Sequence, residues 1–167
     1  MKSITHFFFA CLIVIGLTAC GFHLRGMSVI PFESMFISGN ILIISEDLKK
    51  SLITNNVKLL SSAEGAELQL ELIGEESEKR ILSLAGVGTV NEYELFYRVH
   101  YRTKTLGQVT WSPVRTIESR RDYTYSDANL LAKNTEEDKL NEHIQQDVAS
   151  GMIRRLSTLK PDHSSRP

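Results

Sequence analysis

Apolar positions along this chain change period from segment to segment, and the changes mark its elements. Leu68, Leu70 and Leu72 alternate with Glu67, Gln69 and Glu71, the period of two that a half-buried strand shows. Ile81 to Leu84 continues that strand, and Gly86-Val87-Gly88 predicts a hairpin turn, since glycine accepts positive φ. The return strand is the clearest in the chain. Tyr93, Leu95, Tyr97, Val99 and Tyr101 share one face, while Glu94, Phe96, Arg98, His100, Arg102 and Lys104 share the other. Leu106-Gly107 predicts a further turn. Residues 109–125 read as a last long strand, with Pro113 implying an edge or a bulge because proline cannot donate to a ladder.

Two stretches carry helical spacing instead. Ile41, Ile44, Leu48 and Leu52 fall on one face opposite Lys49 and Lys50, with Asn40 or Ser45 as candidate cap and Asn55-Asn56 as the stop. Leu140, Ile144, Val148, Met152 and Leu156 repeat every four residues, and Gly151 allows this helix to approach the sheet closely. Thr135-Glu136-Glu137-Asp138 resembles a capping box at its start, after a loop or short helical turn over 126–134. Met35-Phe36-Ile37-Ser38 predicts a short first strand, and Val57 to Leu60 the opening of another. The order β-α-β-β-β-α predicts an α+β fold, two helices packed on one face of a mostly antiparallel four-stranded sheet. Residues 34–160 form the single domain, 20–33 an extended lead, and 161–167 a frayed polar tail.

The N-terminus has a different character. From Ile4 to Ala19 there is no acidic residue, and the apolar run Phe7 to Gly16 is short of the about 20 residues that a membrane crossing wants. Its length suits the apolar part of a secretory signal. Leu17-Thr18-Ala19-Cys20 closes the run and resembles the lipobox of bacterial lipoproteins. By that resemblance residues 1–19 are a signal peptide and Cys20 is the lipidation site, which puts the chain on a membrane through a lipid anchor. Gly21, where inner-membrane lipoproteins tend to carry aspartate, points to the outer membrane. Two or more acyl chains hold a protein on a bilayer almost permanently.

Cleavage there removes Lys2 and leaves 18 basic against 20 acidic residues, a net charge of −2. That balance argues against nucleic-acid binding. Cys11 leaves with the signal and Cys20 is consumed, so no thiol remains for a disulfide or a thiolate metal site. About 148 residues suit one domain with its own core. Motifs for chemistry are missing. His23, His100, His143 and His163 have no metal-ligand spacing, no Gly-x-Ser-x-Gly elbow occurs, and Gly86-Val87-Gly88 lacks the third glycine of a dinucleotide loop. Neither a cofactor nor an enzyme is expected. Glu75-Glu76-x-Glu78 reads as a solvated hairpin end rather than a cation site.

Three features remain. The stripe Arg98-His100-Arg102-Lys104 reads as cross-strand pairing with Glu67 and Glu71 in preference to a polyanion site. The row Tyr93-Tyr97-Tyr101 reads as the buried face beneath the helices. Arg121, at a strand end, and Lys133, in the following loop, are expected in one exposed cationic neighbourhood.

The segment Cys20-Gly21-Phe22-His23-Leu24-Arg25-Gly26 resembles the start of the mature LptE lipoproteins, which assemble lipopolysaccharide at Gram-negative outer membranes. Asn91-Glu92-Tyr93-Glu94 resembles that family's strand opening. Arg121-Asp122-Tyr123 and Leu131-Ala132-Lys133-Asn134 through Glu137 resemble the segment before its last helix. The resemblance implies a binding protein that plugs the β-barrel translocon LptD, helps it assemble and binds lipopolysaccharide. Lys133 occupies the position of a family ligand-binding residue, with Arg121 as a second contact. A second basic residue lies in the family near the first hairpin turn, but here Leu84 to Gly88 carries no charge; Arg80 or the Arg98 stripe would have to substitute. The alternative is an outer-membrane assembly or structural factor that binds no glycolipid.

Overall fold

The computed structural model describes residues 29–86, 88–125 and 130–160. The expected signal peptide and Cys20 lipidation site, most of the expected lead, Val87 of the hairpin and residues 161–167 lie outside the described residues. The elements are β1 (Ser34–Gly39), α1 (Ser45–Thr54), β2 (Lys58–Leu60), β3 (Leu68–Leu84), β4 (Val90–Thr105), β5 (Arg115–Thr124) and α2 (Leu130–Ser157).

The two long helices and the α+β class agree with the sequence pattern, but the sheet does not. It has five strands in the order β2-β1-β3-β4-β5 and is mixed, with β1 parallel to both β2 and β3. The expected four-stranded, mostly antiparallel sheet is thus corrected on the β1 side. Parallel neighbours need a crossover, which α1 supplies between β1 and β2. At three residues, β2 is too short to show any period of its own.

Several boundaries also move. Helix α1 begins at Ser45 with Ile44 at the cap position and no side-chain cap. The Ser45 hydroxyl instead accepts the Leu42 N–H at 2.8 Å, and Ile41 stands in solvent outside the helix. Asn56 does end the helix, at φ 61°, the left-handed conformation that asparagine tolerates. Helix α2 begins at Leu130, so Thr135 opens no capping box; its hydroxyl donates to the Leu131 carbonyl one turn back. Strand β5 starts only at Arg115, and Pro113 lies in the preceding loop rather than in the ladder.

One irregularity organises the rest. Leu72 pairs with Tyr101 and Gly74 with His100, so Ile73 is an extra residue in β3. Such a bulge reverses which side chains face each side of the sheet. Leu68, Leu70 and Leu72 point inward below it; above it the inward positions are Glu75, Ser77, Lys79 and Ile81, opposite Val99, Tyr97, Leu95 and Tyr93. The end of β1 holds the bulge. The Asn40 N–H donates to the Leu72 carbonyl at 2.8 Å and its side-chain amide donates to the Ile73 carbonyl at 2.5 Å. Gly39, at φ 93°, brings the chain there, and a Cβ on it would lie 2.1 Å from the Leu72 oxygen.

The core lies between the sheet and both helices. Leu48 and Leu52 of α1, Ile144, Val148 and Met152 of α2, and Tyr97 and Tyr101 of β4 are all essentially buried. Each large aliphatic residue so buried contributes roughly 1.5–3 kcal/mol. Gly151 permits the approach anticipated for it, since a Cβ there would meet Ile117 Cδ1 at 2.6 Å. On the opposite face Phe96 is also buried, though no helix covers it. The guanidinium groups of Arg98 and Arg80 lie over its ring at 4.2 and 5.0 Å, cations on a π-face.

Candidate functional site

The β3–β4 ribbon continues past the helices to its turn, where Gly88 adopts φ 80° and donates its N–H to Ala85. Where α2 begins beside this ribbon, a charged and aromatic cluster forms. Lys79 Nζ donates to Glu137 Oε2 at 2.6 Å, and the Tyr123 hydroxyl donates to the same oxygen at 2.5 Å. The ammonium also sits 4.2 Å from the centre of the Tyr93 ring, which stacks on Tyr123 and meets Tyr125 edge-on. Three strands and a helix are thereby tied together at one point.

Electrostatics follow from this packing. Partial burial opposes the Lys79 charge, but the Glu137 and Tyr123 oxygens outweigh it and hold the ammonium above the usual lysine range. Burial likewise opposes ionisation of Glu137, yet bonds from Lys79 and Tyr123 hold its carboxyl below the ordinary value. Burial, and then the Glu137 carboxylate, push the Tyr123 hydroxyl up. The result is an ion pair fixed across neutral pH.

Lys133 lies inside the first turn of α2, not in a loop, and donates to Glu136 at 2.8 Å. The first four N–H groups of a helix lack partners within it, and this first turn contains no acidic residue. Arg121 is elsewhere. Its guanidinium pairs with Asp147 and donates to the Arg120 carbonyl at 2.8 Å. Asp147 is fourteen residues beyond Lys133, about 21 Å along the helix axis. The single cationic neighbourhood expected of the two residues is therefore not formed: helix geometry separates them.

Three members of the stripe on the open sheet face are paired, and the expected Glu71 is among their partners. Arg102 pairs with Glu71, Arg98 reaches Glu76 and Glu118 at 3.5 and 3.7 Å, and His100 lies between Glu76 and the Thr116 hydroxyl. The carboxylate of Glu67 accepts the Glu33 N–H. Arg80, on this same face, pairs with Glu78. The acidic trio is dispersed too, with Glu75 facing inward to accept the Ile43 N–H and the Tyr97 hydroxyl. Burial, then Glu75, push that hydroxyl up. No cluster of metal-ligating residues occurs among the described residues.

Lys79 was invisible to simple alternation. Even-numbered leucines face inward at the start of β3, so an odd-numbered lysine reads as solvated until the extra residue at 73 is known. The only hint in the sequence is the lone Gly74 within a strand pattern.

A family model described as "LptE: Lipopolysaccharide-assembly" matches residues 36–156, from β1 nearly to the end of α2. The chain belongs to the LptE family. It is 28% identical over 156 residues to the LPS-assembly lipoprotein LptE of Photorhabdus laumondii subsp. laumondii, covering 89% of this chain and 82% of that protein. Among solved structures it resembles lipoprotein B of Nitrosomonas europaea, with TM-score 0.71 and 35% identity over 82% of this chain and 90% of the other. Rare lipoprotein B of Shewanella oneidensis gives TM-score 0.68 and 28% identity, over 75% and 94% of the two chains. LptE proteins are outer-membrane lipoproteins that act in lipopolysaccharide assembly and are not enzymes. No helix among the described residues is long and apolar enough to cross a membrane.

Proposed function

We propose that this protein is anchored to the periplasmic side of the outer membrane through lipid on Cys20, plugs and helps assemble an LptD-like β-barrel, and binds lipopolysaccharide on its way to the cell surface. The observation that carries the ligand reading is the position of Lys133. A cation in the first turn of a helix opposes the macrodipole, whereas an anion there meets both the ammonium and the positive end of the helix dipole. Lipid A presents phosphates, and lysine neutralises them as a point charge. The Lys79 clamp holds the next turn of α2, at Glu137, against the ribbon. Arg121 is a second contact, about 21 Å farther along α2, and it engages a ligand by exchanging Asp147 for phosphate. The other expected substitutes for a basic residue at the hairpin, Arg80 and the Arg98 stripe, lie on the opposite face of the sheet.

The test is retention of lipopolysaccharide by the purified barrel complex. Lys133→Glu should lower it about tenfold, the size of one lost charge-assisted contact, while the barrel still co-purifies. Equal retention removes Lys133 from the site. A wild-type complex that holds the barrel and no glycolipid favours a purely structural assembly factor.

A further inference from the structure

The two ends of the sheet differ, and the end away from the ribbon has its own chemistry. The last residue of β4 and its connection to β5 make up residues 105–114, Thr-Leu-Gly-Gln-Val-Thr-Trp-Ser-Pro-Val, ten residues without a charge. Lys104 and Arg115 bracket them. Val109 is 89% exposed, Val114 56% and Leu106 47%. Trp111, the chain's single tryptophan, is half-buried, with Arg102 4.9 Å from its ring.

The loop is built to present these side chains. Gly107 turns the chain at φ 88°, and the Gln108 N–H returns to the Thr105 carbonyl at 3.1 Å. Farther on, the Ser112 N–H donates to the Thr103 carbonyl at 2.8 Å, and its hydroxyl accepts the Thr103 N–H at 3.0 Å. Val109 to Trp111 therefore stands between two pinned points. Exposed apolar side chains on a held backbone lose little entropy on burial.

What covers them is indicated by where the chain enters. The Leu106 N–H bonds to the Glu67 carbonyl, and the Glu67 carboxylate accepts the Glu33 N–H, one residue before β1. The lead therefore reaches the sheet at the loop's end of the molecule. Val29 is exposed and lies nine residues after Cys20, a reach of at most about 30 Å. An acylated Cys20 would hold this end, and not the ribbon, against the bilayer.

We infer that the 105–114 loop is a membrane-contact surface. Val109, Val114, Leu106 and Trp111 enter the interfacial zone of the leaflet that holds the anchor, and Lys104 and Arg115 meet its anionic headgroups. Tryptophan favours that depth because its ring is apolar with one polar edge, and flanking cations add attraction to acidic lipid. The anchor supplies residence; the loop supplies orientation at the periplasmic rim of the barrel, leaving the ribbon and Lys133 pointing away from that lipid surface and into the barrel. The inference rests on the lipid anchor proposed above.

The lone tryptophan makes the test direct. The acylated full chain is reconstituted in phosphatidylethanolamine–phosphatidylglycerol vesicles with or without bromine on the acyl chains, and flotation and Trp111 emission are read together. A blue shift and about a twofold quenching by brominated lipid are expected, from a ring seated at the interface. Val109→Asp with Val114→Asp should abolish quenching while flotation and the unfolding midpoint stay unchanged. Flotation without quenching overturns the loop and keeps the anchor. Loss of both, with an unmodified Cys20 by mass, overturns both. A blue shift in lipid-free Cys20→Ser chain that grows with protein concentration assigns the loop to a second copy instead, and also overturns the inference.

Discussion

The lower and upper halves of the β3–β4 ribbon share the same strands and the same antiparallel pairing, yet they do opposite work. From Leu68 to Leu72 the inward residues are leucines sealed under both helices. From Glu75 to Ile81 they are a carboxylate, a hydroxyl, an ammonium and a half-exposed isoleucine. A single inserted residue, Ile73, separates the halves. One extra position in a strand can thus convert a core into a site while the ladder resumes on either side of it.

The strongest way to break the comparison is to remove what holds the insertion. Gly39→Ala would place a methyl group 2.1 Å from a backbone oxygen at φ 93°. No flexible side chain can move aside there, so both strain and displacement of the Leu72–Asn40 contact are unavoidable. A loss of about 3 kcal/mol or more is expected by urea unfolding. By contrast Gly151→Ala, whose Cβ meets the movable ends of the Ile117 and Arg154 side chains and no backbone, should stay within about 1 kcal/mol, since alanine improves helix propensity. Equal effects at the two glycines would mean that the bulge is not fixed by β1.

That contrast also explains what could be read from the sequence. The leucine alternation, the tyrosine face of β4 and the four-residue repeat of α2 were legible, because each is a long periodic run buried on one side. The Gly151 approach was legible as well. Val57 to Leu60 was read as the opening of a strand but not as the separate β2, since three residues carry no period. The start of α2 was misplaced because Thr135 to Asp138 imitates a cap although the helix already runs through it from Leu130. In the site, Lys133 was visible as a residue but not as a member of a helix, and its distance from Arg121 followed only from where α2 begins. Lys79 and its partners Glu137 and Tyr123 could not be foreseen, because they meet through a bulge and across 58 and 14 residues of chain.

A smaller perturbation sharpens the comparison instead of breaking it. Lys79→Met keeps the aliphatic stem over Tyr93 and deletes the charge that Glu137 and Tyr123 share. The pair is partly solvent-exposed, so its net worth is about 1 kcal/mol after screening. Hydrogen exchange should accelerate in the amides at the start of α2 and leave those of Leu68 to Leu72 unchanged. Faster exchange along the whole ribbon would show that the halves are one cooperative unit.

The smallest effect is a dependence on acid. Glu137 is depressed in the folded chain, so it stabilises the native state above its unfolded value, about 4.3. That contribution disappears as pH falls through the lower native value. Lys79 is raised, so its contribution is complete below about 10.4 and is lost only at higher pH. Between these limits the clamp is independent of pH. Glu137→Gln should therefore cost about 1 kcal/mol at pH 7, and the difference from wild type should shrink toward zero as pH falls through the lowered native value. Urea unfolding of both proteins over that range reads it directly. A constant difference at every pH would mean that Glu137 acts through its hydrogen bond to Tyr123 alone, and that the upper half of the ribbon is tied to α2 by an uncharged contact.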